Sequence, residues 1–298
     1  MIDRLVLGTV QLGLDYGINN KYGKPSRKDA FRILDKAYEL GIKTLDTAEA
    51  YGDAEVIIGE WLSANGLQNS VKVISKLKPN IFDNENNISG IIQQQIVSSL
   101  ENLNIDVLDG FLLHTPKYVY QTEILEGLLN CKNKGMVDNL GVSIYDEEDA
   151  LYAAGCELVD YIQIPYSFLD QRLDKTDFFH ISKKNQKTVF ARSPFVQGLV
   201  FMDENSIPSH LEKAKDYNND LVKIISSYNL KRHEIAMLFS LSNRNNDYIV
   251  FGVDTVEQLI EDCSLVNDFD IINNCINDLK REFGHTDKNI VIPSLWKK

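Results

Sequence analysis

The chain has 298 residues, 44% of them hydrophobic and 25% charged, which is enough for a large buried core in one big domain or two small ones. Its 31 Lys and Arg against 43 Asp and Glu leave a formal net charge of −12; phosphate contacts need clustered cations, so polyanion binding is disfavoured as the main activity. No stretch approaches the roughly 18 continuous apolar residues of a membrane helix, and Met1-Ile2-Asp3-Arg4 is followed by no secretory apolar core. The expectation is a cytoplasmic protein with neither nucleic acid nor membrane as partner, acting as a monomer or small homo-oligomer.

Taken in chain order, the first β-rich run is Leu5 to Thr9, followed by a loop carrying Tyr16, Tyr22 and Lys24. Ser26 then caps a predicted helix from Arg27 to Leu40, with Ala30, Ile33, Leu34, Ala37 and Leu40 on one face and Gly41 as its stop. Lys43 to Asp46 and Val71 to Lys76 are the second and third runs. After an Asn-rich loop, Asn80 to Asn87, comes a helix over Ile91 to Leu103. Gly110 to His114 is the fourth run, and Thr122 to Lys134 a helix before Gly135. The fifth to seventh runs are Asn139 to Ser143, Tyr161 to Pro165 and Thr188 to Arg192. A loop from Gln197 to Pro208 leads to two helices, His210 to Tyr228 and Lys231 to Ser242, and a second Asn-rich loop, Asn243 to Asn246. Tyr248 to Gly252 is the eighth run. One more helix, near Ile272 to Arg281, precedes a tail carrying Trp296.

Eight strands alternating with helices, without a linker between them, predict an α/β fold of the (β/α)8 TIM-barrel type, a single domain over 1–298. A doubly wound sheet alternates in the same way, but no G-x-G-x-x-G follows any strand. The tail, Phe283 to Lys298, is expected to fold over the barrel mouth. Cys131, Cys156, Cys263 and Cys275 are scattered without a CxxC pair, so they are read as free thiols, with no metal site or disulfide framework.

Chemistry in such a barrel sits at the C-terminal ends of the strands. Those ends carry Asp46, Lys76 and His114, with Tyr51 in the loop after Asp46. Singly each has a plain structural reading: a cap, a solvated strand end, a core histidine, a packed loop aromatic. Together, on consecutive strands, they form a proton-transfer set. Tyr51 would be the acid, with Lys76 drawing its pKa down from about 10 and Asp46 holding Lys76 charged; His114 would donate to a carbonyl oxygen.

These residues sit in segments that resemble the aldo-keto reductases over nearly the whole chain, from Leu7-Gly8-Thr9 to about Val266. The anchors are Leu45-Asp46-Thr47-Ala48-Glu49-Ala50-Tyr51-Gly52, Lys76, Leu112-Leu113-His114, Gly141-Val142-Ser143, Gln163-Ile164-Pro165-Tyr166, Ala191 to Leu199, and Phe251 to Leu259. The resemblance implies a nicotinamide-dependent oxidoreductase that reduces an aldehyde or ketone, using NADP or NAD. By the same resemblance Tyr51 is the general acid/base, His114 the orienting donor, and Asp46 and Lys76 the tuners. Cofactor positions would be Gly8, Thr9, Asp46 and Arg192; Ser143 and Gln163 toward the nicotinamide; Ser193, Phe195, Gln197, Gly198 and Leu199 along the pyrophosphate; and Gly252, Asp254, Gln258 and Asp262 around the adenosine.

Three departures from the family pattern carry expectations of their own. The usual Asn after the serine is Ile144. Arg192 stands where a stacking aromatic is common, and a guanidinium can stack or pair with an anion. The segment Gly252 to Gln258 has no cation and holds Asp254 and Glu257, which disfavours a 2′-phosphate and points to NADH use. Tyr16, Tyr51, His114, Arg172 and Trp296 are expected around the substrate. Asp170-Gln171-Arg172-Leu173 and Ala191-Arg192-Ser193 resemble the branch of surface-polysaccharide and unusual-sugar pathways, which implies a sugar or nucleotide-sugar carbonyl. The alternatives are a cofactor-binding sensor with little turnover, and a barrel lyase or isomerase using Lys76 in a Schiff base.

Overall fold

In the computed structural model, which describes residues 1–82, 87–267 and 269–296, eight parallel strands close into a barrel in sequence order, β1-β2-β3-β4-β5-β6-β7-β8. They are β1 (Leu5–Gly8), β2 (Thr44–Asp46), β3 (Lys72–Leu77), β4 (Leu108–Leu113), β5 (Val137–Ser143), β6 (Tyr161–Pro165), β7 (Thr188–Arg192) and β8 (Tyr248–Phe251). Each coincides with one of the β-rich runs, with ends that move by one or two residues. The helices are α1 (Val10–Gly13), α2 (Arg27–Glu39), α3 (Ala54–Asn65), α4 (Ile88–Leu103), α5 (Thr122–Asn133), α6 (Glu147–Gly155), α7 (Phe178–Lys184), α8 (Ala214–Tyr228), α9 (Arg232–Ser242), α10 (Val256–Ser264), α11 (Ile276–Phe283) and α12 (Lys288–Val291). Ser26 caps α2, its hydroxyl accepting from the Asp29 amide at 3.2 Å. Among the described residues, no helix is long and apolar enough to cross a membrane.

Strand alternation decides what reaches the site. Successive side chains on a strand face opposite sides, so every second residue shares a face. Val6, Ile74, Leu112, Phe190 and Val250 fill the barrel interior with Tyr161 and Tyr248, while residues such as Leu5, Leu7, Val73 and Leu113 face the helices. Two residues beyond that interior layer, on the same faces, come Gly8, Lys76, His114, Gln163, Arg192 and Gly252. These residues form the next storey of the barrel core.

Three expectations change. The helix read over His210 to Tyr228 begins with a separate short turn, Ser209–Leu211, before α8, and the one near Ile272 resolves into a turn, Phe269–Asn274, and α11. Of the loop Asn80 to Asn87, positions 83–86 lie outside the described residues. The tail does not cover the mouth. Phe283 is fully buried with its ring 5.0 Å from that of Phe168, and Ile290, Val291 and Ile292 are buried beside it. Ile290 seats in an apolar groove lined by Phe168, Leu169 and Leu221, because leaving it over a wet cavity would forfeit its burial.

Candidate active site

A cavity of about 510 Å³ opens at the C-terminal end of the barrel, where the strand ends converge. At its floor, Lys76 Nζ donates to Asp46 Oδ2 at 2.7 Å and to the Thr47 carbonyl at 2.8 Å, and lies 3.4 Å from Tyr51 Oη. Lys76 and Asp46 are both buried, so each charge depends on the other for compensation. Gln163 Nε2 donates to the second Asp46 oxygen at 2.7 Å, and Ser143 Oγ donates to Gln163 Oε1 at 3.2 Å. Thr9 anchors the Asp46 backbone, its amide and hydroxyl both donating to the Asp46 carbonyl.

Tyr51 reaches this cluster because the β2 loop lies against α1. A side chain at Gly13 would put its Cβ 1.7 Å from the Tyr51 carbonyl oxygen, and Gly52 turns the chain at φ +61° with Gly13 O 2.5 Å from where a Cβ would stand. Only glycine permits that approach. The His114 ring meets Tyr51 edge-on, centroids 5.8 Å apart, and its buried Nδ1 has no partner among the described residues.

The electrostatics differ from the expectation in one respect. Burial, followed by the Asp46 charge, pushes the Tyr51 phenol above its ordinary range, with Arg192 opposing. Lys76 does not offset this rise; burial also lowers the pKa of that ammonium, with the Asp46 charge and hydrogen bond opposing. Tyr51 is therefore a fully protonated phenol at neutral pH, a donor rather than a phenolate. Burial, then the Lys76 and Arg192 charges, lower the His114 pKa to about 3, so its imidazole is neutral. Tyr16 is pushed up to about 12, chiefly by burial. A neutral phenol beside a neutral imidazole can protonate a carbonyl oxygen that develops negative charge.

Most residues expected from sequence line this one cavity. Gly8, Thr9, Asp46, Ser143 and Gln163 form the floor with Tyr51 and His114. Ser193, Phe195, Gln197 and Gly198 form one wall after β7, where Ser193, Val196 and Gln197 all hold positive φ. Gly252, Asp254, Gln258 and Asp262 form the end after β8, and Tyr16, Tyr22 and Arg192 line the remainder. The Asp254 amide donates to Gln258 Oε1 at 2.7 Å, which shapes that end. Asp262 is buried there and burial pushes its carboxyl up to about 8, with Glu261 adding to the rise.

Five expectations are corrected. Leu199 is in the apolar core beneath the β7 loop. Arg172 faces away: its Nε and Nη2 donate to the two Asp170 oxygens at 2.8 and 2.9 Å, and Nη1 to Glu147 at 3.1 Å, so its charge is already neutralised. Trp296 donates from Nε1 to the Ile290 carbonyl at 3.2 Å, within the tail. Glu257 is exposed outside the cavity, whereas Glu261 lines it. Lys24, expected near the mouth, pairs with Asp53.

Sequence reading missed Gln11, Tyr145, Lys21, His233 and Glu261, all of which line the cavity. Tyr145 was findable, since it lies just past the end of β5. Gln11 was not. Its side chain lies flat on Gly252, 2.5 Å from the position of an added Cβ, with Oε1 buried and unpartnered.

The model of the aldo/keto reductase family matches residues 4–271, and the chain belongs to that family, whose members are oxidoreductases that generally use NAD(P)H. An aldo-keto reductase of Strobilurus tenacellus is 28% identical over 180 residues, 59% of this chain and 53% of that protein, so the match spans about half of that relative's length. The NADH-specific methylglyoxal reductase of Escherichia coli is 22% identical, with 89% of this chain and 90% of the relative aligned. A solved aldo-keto reductase structure from Pseudomonas aeruginosa has the same fold, with TM-score 0.67, 17% identity and coverage of 89% and 90%.

Proposed function

We propose that this protein reduces an aldehyde or ketone with a nicotinamide dinucleotide, and reversibly oxidises the alcohol, with Tyr51 as proton donor and His114 as the hydrogen-bonding orienter. The observation that carries this reading is the Lys76–Tyr51–His114 cluster, with Asp46 doubly bonded behind it. The cofactor, when bound, supplies the hydride; the chain's own residues orient the carbonyl, hold the phenolic proton and seat the dinucleotide. The cavity fits such a group: its volume lies in the range of cofactor sites, Gln11 Oε1 and His114 Nδ1 are buried in its wall without partners, and Ser143 and Gln163 supply an amide-binding pair.

NADH is proposed to be used at least as well as NADPH. The wall after β8 contributes Asp254, Glu261 and Asp262 and no Lys or Arg, so a 2′-phosphate there would meet carboxyls. A relative named as NADH-specific supports the same reading. The favoured substrate is a sugar or nucleotide-sugar carbonyl, for which the polar, partly cationic mouth with Lys21 and Arg192 is the support. The net charge of −12 supports a small-molecule partner over nucleic acid, and the free cysteines are in keeping with the reducing cytoplasm. A sensor that only bound cofactor would have no use for a compensated Lys–Asp pair behind a buried phenol.

Steady-state rates with NADH and NADPH across a panel of sugar aldehydes and ketones test the proposal. Turnover at comparable kcat/KM with NADH is the expected result; a hundredfold preference for NADPH overturns the cofactor assignment, and no oxidation of either overturns the reaction.

A further inference from the structure

We propose that Arg192 selects a carbonyl substrate bearing a carboxylate or phosphate close to the reacting carbon. This deepens the reductase reading above and rests on it. Arg192 is the last residue of β7, on the interior face one step past Phe190, and it lines the cavity. Its Nη2 donates to the Ile144 carbonyl at 2.9 Å and its Nη1 approaches Ser193 Oγ at 3.4 Å, while its central carbon lies 4.4 Å from the centre of the Tyr145 ring. A guanidinium has five N–H donors, so most of its hydrogen-bonding capacity has no protein acceptor among the described residues.

The neighbouring arginine makes the contrast. Arg172 is neutralised by Asp170 and Glu147, and its Nη2 also donates to the Tyr145 carbonyl at 2.9 Å. One arginine therefore fixes the tyrosine on which the other stacks. Arg192 is anchored on the Ile144 carbonyl and the Tyr145 ring yet has no acidic partner among the described residues.

Charge around the reacting groups points the same way. Lys76 is matched by Asp46, and Tyr51 and His114 are neutral, so beside the reacting groups Arg192 is a cation with no acidic partner among the described residues. The other carboxyls of the cavity, Asp254, Glu261 and Asp262, belong to the wall after β8. A partly buried cation in a fixed fork is best satisfied by a planar or tetrahedral oxyanion. Acidic sugars, 2-oxo acids and sugar phosphates place such a group beside a carbonyl.

The test compares matched pairs with NADH: phenylglyoxylate against its methyl ester for the carboxylate, and glyceraldehyde 3-phosphate against glyceraldehyde for the phosphate. In the wild type, kcat/KM for the anionic member of at least one pair should exceed that of its neutral partner by about thirtyfold, and in Arg192→Gln that ratio should fall to near one, with Arg192→Lys between. Oxalate gives a readout without turnover: calorimetry onto the NADH complex should show binding that Arg192→Gln weakens by about tenfold or more. The NADH dissociation constant of the variant, from fluorescence titration, should move by less than about threefold, since a substrate contact is not a cofactor contact. Equal rates for charged and neutral members overturn the proposal. So does weakened NADH binding with the ratio unchanged, which would assign the guanidinium to the cofactor. Oxalate binding that depends on Arg192, without NADH oxidation by any carbonyl, upholds the anion site and overturns the reductase reading.

Discussion

Gln163 Nε2 donates to Asp46 Oδ1 at 2.7 Å, joining β6 to β2 across the full width of the barrel mouth. With Oδ2 held by Lys76, both oxygens of Asp46 are occupied, so this carboxylate is a fixed electrostatic post and not a free base. Gln163→Leu should strand Oδ1 in a buried site and destabilise the protein by about 1–3 kcal/mol. Urea denaturation checks this; an unchanged midpoint would mean that water replaces the amide.

Tyr51→Phe removes the only phenol in contact with Lys76 Nζ among the described residues. The expected outcome is a loss of kcat of about 10²–10⁴-fold, as for other positioned general acids. NADH binding, followed by fluorescence, should persist. Because burial holds the phenol above its ordinary range, the reduction rate of the wild type should be flat through neutral pH and decline only above the usual tyrosine value of about 10. A pH–rate profile falling between pH 7 and 8 would instead indicate a phenolate tuned by Lys76.

Lys76→Met leaves Asp46 buried without its countercharge, and should cost about 3–5 kcal/mol. The double variant Asp46→Asn with Lys76→Met removes both charges and should recover most of that loss. A double-mutant cycle in denaturant measures it, and strictly additive losses would mean that the pair is not coupled.

Asp262 provides a pH signature of stability. Its folded carboxyl titrates at about 8, raised from 3.8 by burial, so the folded state binds a proton that the unfolded chain has released. The stability it contributes is present below about pH 4 and is lost as pH rises through 8. Asp262→Asn should therefore raise Tm little at pH 4 and by several degrees above pH 8. Parallel melts at both pH values decide; an equal shift at the two would refer the effect to packing. His114 acts in the opposite window. With its folded value lowered from 6.5 to about 3, its contribution is full above 6.5 and is lost as pH falls toward 3.

The barrel was legible because each of its strands is an apolar β-rich run separated by an amphipathic stretch, and a two-residue period needs no tertiary information to read. Lys76, His114 and Gln163 were legible for the same reason, being continuations of interior rows. Tyr51 was placed from its loop spacing, but its exact position depends on the close approach of Gly13 in α1 to Tyr51 and Gly52, a contact made only in the folded chain. Gln11 carried no such signal, since its significance comes from a flat contact with Gly252, a residue from the far end of the chain.

The alternation of eight β-rich runs with amphipathic stretches pointed to a closed barrel, and strand ends named the residues at its mouth. What the tertiary structure alone decided was the state and direction of the charges. Arg172 and Arg192 are alike in sequence, but one meets Asp170 and Glu147 and the other faces the cavity with no acid. Likewise Lys76 could have tuned Tyr51 or satisfied Asp46, and proximity in the fold gave it to Asp46. The physical reason is that strand period is a one-dimensional property, whereas desolvation and ion pairing depend on neighbours that only folding brings together. The −12 of the sequence is a sum; its effect at the site is set by which few charges remain unpaired.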